Sequence, residues 1–119
     1  MSDAVDRDAL NELFTAIGGD AGWVQEVFEM FVTDTEERIT AIEVAFDAGD
    51  VAEVGTIAHG IKGAAAYLGA ARLRAIAASI ETSARGGTLD PTPPHKHLRE
   101  AMAATQQDWP AALAAATQG

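Results

Sequence analysis

Glycine-marked breaks are the feature that most limits what this chain can fold into. They fall at Gly18-Gly19, Ala48-Gly49-Asp50, Gly69, and the stretch from Gly86 to Pro94, which holds two glycines and three prolines. Glycine supplies the left-handed backbone that closes a helix, and proline can open the next helix but not continue the last. Between the breaks, apolar residues recur every three or four positions, and no stretch shows the two-residue alternation of a half-buried strand. The pattern predicts an all-α fold: a short helix over 5–17, a long second helix over 21–48, a third over 51–68, a fourth over 70–85 and a last one opened by the prolines. Joined by short turns, these make an antiparallel up-down four-helix bundle with a short additional N-terminal helix, one domain over residues 1–119.

The expected core follows from the same spacing. Leu10, Leu13, Phe14 and Ile17 form one stripe of the first helix. Val24, Phe28, Phe31, Thr35, Ile39, Ile42 and Phe46 form that of the second, and Leu73, Ile76, Ala77 and Ile80 that of the fourth. The last helix offers Leu98, Ala101, Met102, Thr105, Trp109 and Leu113, with Pro110 expected to kink or split it. Asp20 is the expected N-cap of the second helix, and Asp50-Val51-Ala52-Glu53 has the spacing of a capping box for the third. Glu26, Glu29, Asp34, Glu36, Glu37 and Glu43 fall on the outer side of the second helix, where a charge run reads as a solvated face.

Composition excludes several classes. The chain of 119 residues has a net charge of -10, which argues against a nucleic-acid or anionic-membrane surface, since phosphates need clustered Lys and Arg. No cysteine means no disulfide framework and no thiolate metal site. The acidic start MSDAVDRDAL lacks an apolar signal region, so the expectation is a cytoplasmic, stand-alone monomer. Charge is also uneven: residues 1–53 carry 14 acids and 2 bases, residues 54–119 carry 4 acids and 6 bases.

Within that second half, Ala58-His59-Gly60-Ile61-Lys62-Gly63-Ala64-Ala65-Ala66 places an imidazole and an ammonium among small residues. On a helical wheel Val54, Ile57, Ala58, Ile61, Ala65 and Leu68 define the buried stripe, and His59 points about 160° away from Ile61. Ala52, Gly55, Thr56, Gly63 and Ala66 lie within about 60° of His59, with Lys62 about 60° to one side. A solvated helix face ordinarily carries Glu, Lys, Gln and Arg, and each glycine costs about 0.8–1 kcal/mol relative to alanine. The side-chain-poor strip therefore reads as an approach path. An exposed ring nitrogen, an adjacent cation and open access suit phosphoryl transfer between proteins, which needs positioning and charge neutralisation more than covalent machinery.

His59-Gly60-Ile61-Lys62-Gly63-Ala64-Ala65, followed by Leu68-Gly69 and Leu73, resembles the H-x-[LI]-K-G-[SA]-[SA] signature of histidine-containing phosphotransfer (HPt) domains. Phe31 to Ile39, the Gly49-Asp50 turn and Glu81 to Arg85 extend the resemblance over about residues 10–87; Ala64 stands where serine is frequent. The resemblance implies a relay protein that takes a phosphoryl group from a receiver-domain aspartate, that of a response regulator or a hybrid sensor histidine kinase, and passes it to another response regulator. It implies His59 as phosphoacceptor, Lys62 as the group that neutralises phosphoryl charge, and Gly63 as the gap that admits the receiver. It further implies no kinase site and no cofactor of the chain's own, with magnesium in the partner. Gly55 to Lys62 only mimics a P-loop, because Ile61 intrudes before Lys62 and no Ser or Thr follows. The family's docking patch is apolar and draws on the first helix and the start of the second; Phe14, Ile17 and Trp23 fit it, and each equally fits a cap on the bundle's end. Gly55, Thr56 and Ala66, beside His59 on the wheel, complete the docking set. What fixes the His59 tautomer stays open, with Glu81 or a water as candidates.

Two other classes compete. A metal centre inside a bundle needs inward carboxylates and histidines at Glu-x-x-His spacing, which does not occur here, and His95-Lys96-His97 reads as exposed histidines rather than a ligand pair. A non-catalytic adaptor that binds receivers or kinases would keep the bundle without the chemistry; His59, Lys62 and Gly63 standing together disfavour it.

Overall fold

The computed structural model describes residues 4–89 and 92–118. Asp90 and Pro91, expected in the last loop, and the first three residues of the acidic start lie outside that range. Five helices follow in order: α1 Arg7–Ala16, α2 Ala21–Asp47, α3 Val51–Leu68, α4 Ala71–Arg85 and α5 Pro94–Gln118. Each long helix packs on the next, and α5 returns to α2, which closes a four-helix bundle; α1 lies across one end against α3 and α5. The all-α bundle with a short extra helix is therefore the architecture of the chain.

Local chemistry sets the helix ends. Asp20 caps α2 by accepting from the Trp23 amide at 3.0 Å, and Asp50 caps α3 by accepting from the Glu53 amide at 3.1 Å. The Asp50 amide is donated to the Ala45 carbonyl, so the return half of a capping box is not used. Helix α1 begins at Arg7 rather than at the expected Val5, because residues 4–6 are committed elsewhere. The Asp6 amide donates to the Gly69 carbonyl at 2.6 Å, the Val5 amide to Asp108 Oδ2 at 3.3 Å, and Ala4 accepts from Arg72.

Gly69 allows that crossing. Its φ of +77° ends α3 in the left-handed region, and a Cβ there would lie 2.8 Å from the Asp6 carbonyl oxygen and 3.2 Å from Ala9 Cβ. Gly69→Ala is expected to cost about 2 kcal/mol from backbone strain and more from displacing the N-terminal segment. In a domain of this size that lowers Tm by roughly 5–10 °C. Gly18→Ala, with φ +88° but nothing within 4 Å, should cost less; the difference between the two thermal melts measures the packing contribution.

The core is continuous along the bundle, with Leu10, Val24, Ile39, Ile42, Ile61, Leu68, Leu73 and Leu98 fully enclosed. Phe28 stacks on Trp109 with ring centroids 3.9 Å apart, and the indole N–H donates to Gln25 Oε1 at 2.9 Å, which satisfies its polar edge. Ala45 takes the buried place expected for Phe46, whose larger ring packs from the side onto Val54 and Ala84. Pro110 does not split the last helix: α5 runs through it. Pro110 sits on the exposed side, and Gln106, whose carbonyl loses its ladder donor, is exposed as well, so water can serve that oxygen.

Candidate functional site

α3 and α4 form the tightest helix pair, and two small residues explain it. Gly55 is buried, and a Cβ on it would stand 3.2 Å from Ala84 Cβ. This places Gly55 in the α3–α4 contact, at the floor of a shallow depression, rather than on the open face expected from the wheel. A wheel drawn on α3 gives the direction of Gly55 but not the position of the helix that crosses there. The close approach brings α4 side chains beside the outward edge of α3.

His59 leaves α3 on that edge with 61% of its side chain exposed. Its Nδ1 lies 2.9 Å from Glu81 Oε2, an α4 carboxylate whose side chain is only 7% exposed. Lys62 Nζ lies 2.6 Å from Oε1 of the same carboxylate, and Arg85 Nη2 lies 2.7 Å from Oε2. The hydrogen bond from Lys62 is the strongest influence holding the Glu81 carboxyl below its ordinary range; the His59 bond and the charges of Arg85 and Lys62 add to it, against burial, which raises it.

An ionised carboxylate only accepts, so the His59 nitrogen facing Glu81 is the donor. A neutral ring in this contact carries its proton on Nδ1, which leaves the lone pair on Nε2, the nitrogen not engaged by Glu81. Of the two candidates the sequence left open, Glu81 is the one placed within hydrogen-bond distance of the ring.

The surroundings are open. A Cβ at Gly63 would meet nothing within 4 Å. Thr56 and Ala66 are exposed, and the Thr56 hydroxyl is spent on the Ala52 carbonyl at 3.1 Å. Two shallow depressions flank the ring along the α3–α4 seam. One of about 410 Å³ is lined by Lys62, Gly63, Ala66 and Arg74, the other of about 440 Å³ by Ala52, Gly55, Thr56 and Arg85.

Phe14 and Ile17 are half-buried against the core, and Trp23 is 46% exposed. An interface of standard size covers about 800 Å² per partner, a radius of about 16 Å. Tyr67, 61% exposed and eight residues beyond His59 on α3, about 12 Å along the helix axis, falls within such a footprint around His59. Its spacing from His59, two helical turns, was the available signal.

His95 and His97 face separate partners: His95 Nε2 lies 3.8 Å from Glu43, and His97 Nδ1 lies 3.5 Å from Glu100. Among the described residues no group of three or more His, Asp or Glu is arranged to hold a metal ion, and no helix is long and apolar enough to cross a membrane.

The described residues form an all-helical bundle that presents a histidine held against a buried carboxylate. The family model of the Hpt domain matches residues 26–116, more than half of the chain, and the chain belongs to that family. The match begins after α1 and takes in α5, beyond the region where the motif resemblance is strongest. No curated protein matches the chain. Hpt domains are phosphotransfer intermediates of two-component phosphorelays rather than kinases, and their partners are receiver domains and kinases; that is the role this family membership supports.

Proposed function

We propose that this chain accepts a phosphoryl group on His59 Nε2 from the aspartyl phosphate of a receiver domain, in a hybrid sensor histidine kinase or a response regulator, and delivers it to the aspartate of another response regulator. The observation that carries the reading is the 2.9 Å contact between His59 Nδ1 and the buried Glu81 carboxylate. It leaves an unprotonated nitrogen on the outward edge of the ring.

The Nε2 lone pair attacks phosphorus as the bond from phosphorus to the partner's carboxylate oxygen breaks, and that electron pair leaves with the partner's carboxylate. No proton has to leave Nε2 first. The product ring, with N–H on one nitrogen and phosphorus on the other, carries a formal positive charge, and Glu81 sits against it. In the reverse step a receiver carboxylate attacks phosphorus and the electron pair returns to Nε2.

Charge balance supports the same assignment. Lys62 and Arg85 around one carboxylate leave one net positive charge next to the ring, whereas a phosphoryl group brings about -1.5 to -2. Lys62 is held by Glu81, not free, but an ammonium has three donors and can serve phosphoryl oxygens with the others. Magnesium, expected in the receiver, would neutralise those oxygens from the opposite side. Gly63 contributes space, and Thr56, Ala66 and Tyr67 the rest of the landing surface.

The test is incubation with phosphorylated receiver domains followed by recovery of label on this chain. Acid-labile, base-stable phosphate on His59 supports the proposal; receiver binding without any transfer of label identifies a non-catalytic adaptor instead. Lys62→Ala is expected to slow transfer about 10- to 100-fold, the worth of one charge-assisted hydrogen bond, without abolishing it. Single-turnover kinetics measure this directly.

A further inference from the structure

The surface around His59 has a charge opposite to that of the protein. Between residues 54 and 89 the only acid is Glu81, which is buried, while Lys62, Arg72, Arg74 and Arg85 lie in the same span. A further arginine arrives from α2: the guanidinium of Arg38 occupies the space that Gly60 leaves, since a Cβ at Gly60 would fall 2.5 Å from Arg38 Nη1. Arg38 pairs with Asp34 at 3.3 Å, both side chains being solvent-accessible.

Arg74 is the telling member. It is exposed, lines the depression beyond Lys62 and Gly63, and its guanidinium makes no hydrogen bond or ion pair among the described residues, in a chain with 18 acids and 8 bases. The floor of that depression is Ala66, Ala71, Ala75 and Ala78, so nothing nearby screens the charge from an approaching protein.

Arg74 and Arg38 stand on opposite flanks of His59. On α3, Lys62 and Gly63 lead toward Arg74, and Gly60, about 100° around the helix from His59, faces Arg38. The ring is thus bracketed by two guanidiniums that take no part in holding Glu81.

Resting on the phosphotransfer reading above, we propose that this site selects receiver domains with an acidic rim around their phosphoacceptor aspartate, and that Arg74 and Arg38 read that rim. Opposed potentials raise encounter rates by about 10- to 1,000-fold at low salt and penalise a like-charged partner. The acidic outer face of α2 turns the same partner away, so the field orients the encounter as well as accelerating it. Rim charges act mainly on association and on its salt dependence, not on the chemical step.

The experiment uses the full chain and a panel of purified receiver domains of graded rim charge, loaded with magnesium and beryllium trifluoride. Association is followed by stopped-flow fluorescence at ionic strengths of about 0.02 M and 0.5 M, where the Debye length falls from roughly 20 Å to 4 Å. Acidic-rim receivers are expected to associate about tenfold faster than basic-rim ones at low salt, with the advantage gone at high salt. Arg74→Glu is expected to remove about tenfold of that rate and Arg38→Gln a smaller part, with Tm and the transfer rate inside the formed complex unchanged. Association insensitive to salt, to rim charge and to Arg74→Glu overturns the proposal. Repeating the binding on a His59→Gln background separates the two readings. Charge-selective binding with no labelling of the wild-type chain sinks phosphotransfer and keeps the rim; labelling at equal rates by acidic and basic receivers sinks the rim and keeps phosphotransfer.

Discussion

Replacing His59 by glutamine is expected to abolish phosphoryl acceptance and to leave the bundle folded. Glutamine fills much of the same space but offers an amide, whose nitrogen has no lone pair free for attack, so transfer from a phosphorylated receiver falls to the blank. The fold is expected to be indifferent because the ring is mostly in water and Glu81 keeps Lys62 and Arg85 when His59 is gone. Surface changes of this sort stay within about 0.5 kcal/mol, which in a domain of this size moves Tm by about 2–3 °C. A drop of 10 °C or more would mean that the histidine is a structural member of the core.

Glu81→Gln is expected to have the second-largest effect and to act on two properties at once. A glutamine can accept from Nδ1 with its oxygen or present its amide N–H₂ instead, so the ring no longer has one tautomer, and the positive charge of the phosphorylated ring loses its counter-charge. Removing a residue that orients a functional imidazole typically costs about 10- to 100-fold in activity, and transfer should slow by that much. Stability shifts too, because Lys62 and Arg85 lose the carboxylate they share.

The pH dependence of that stability has a definite sign. Glu81 is held below its ordinary value of 4.5 in the folded chain, first by the Lys62 hydrogen bond, with His59, Arg85 and the Lys62 charge adding and burial opposing. The folded state then binds the proton less readily than the unfolded one, so the contribution is fully present above about pH 4.5 and is lost as pH falls through the lower folded value. Urea titrations should show the wild type more stable than Glu81→Gln near neutral pH, with the gap closing below pH 4.5. A gap that stays constant down to pH 3 contradicts the ion cluster.

The helix plan and the outward direction of His59 were both legible because they depend on local rules. Gly49-Asp50 and Gly69 mark real turns, Asp20 and Asp50 are real caps, and the 3.6-residue period on α3 puts His59 outward and Ile61 inward as observed. Local rules are not enough where a neighbouring helix decides the outcome. Gly55 lies within about 40° of His59 on the wheel, yet it is buried, because α4 crosses there and Ala84 fills the space. Glu81 is 22 residues from His59 and could be weighed only as one candidate among others, since its position depends on how α3 and α4 lie against each other. Nothing in the sequence signals that the gap at Gly60 is occupied by Arg38 of α2. Of the kink or split expected at Pro110 the split does not occur, because exposure on the outer side of α5 lets water replace the missing donor.

The central claim is that a buried carboxylate fixes His59 with its proton on Nδ1 and its reactive lone pair on Nε2. Nitrogen-15 NMR of the histidine-labelled chain reads both nitrogens directly, before and after transfer from a phosphorylated receiver. The account predicts a protonated Nδ1 and an unprotonated Nε2 in the neutral resting ring, a phosphorus coupling to Nε2 after transfer, and loss of the single tautomer in Glu81→Gln. A resting ring protonated on Nε2, or phosphorus bonded to Nδ1, would contradict it.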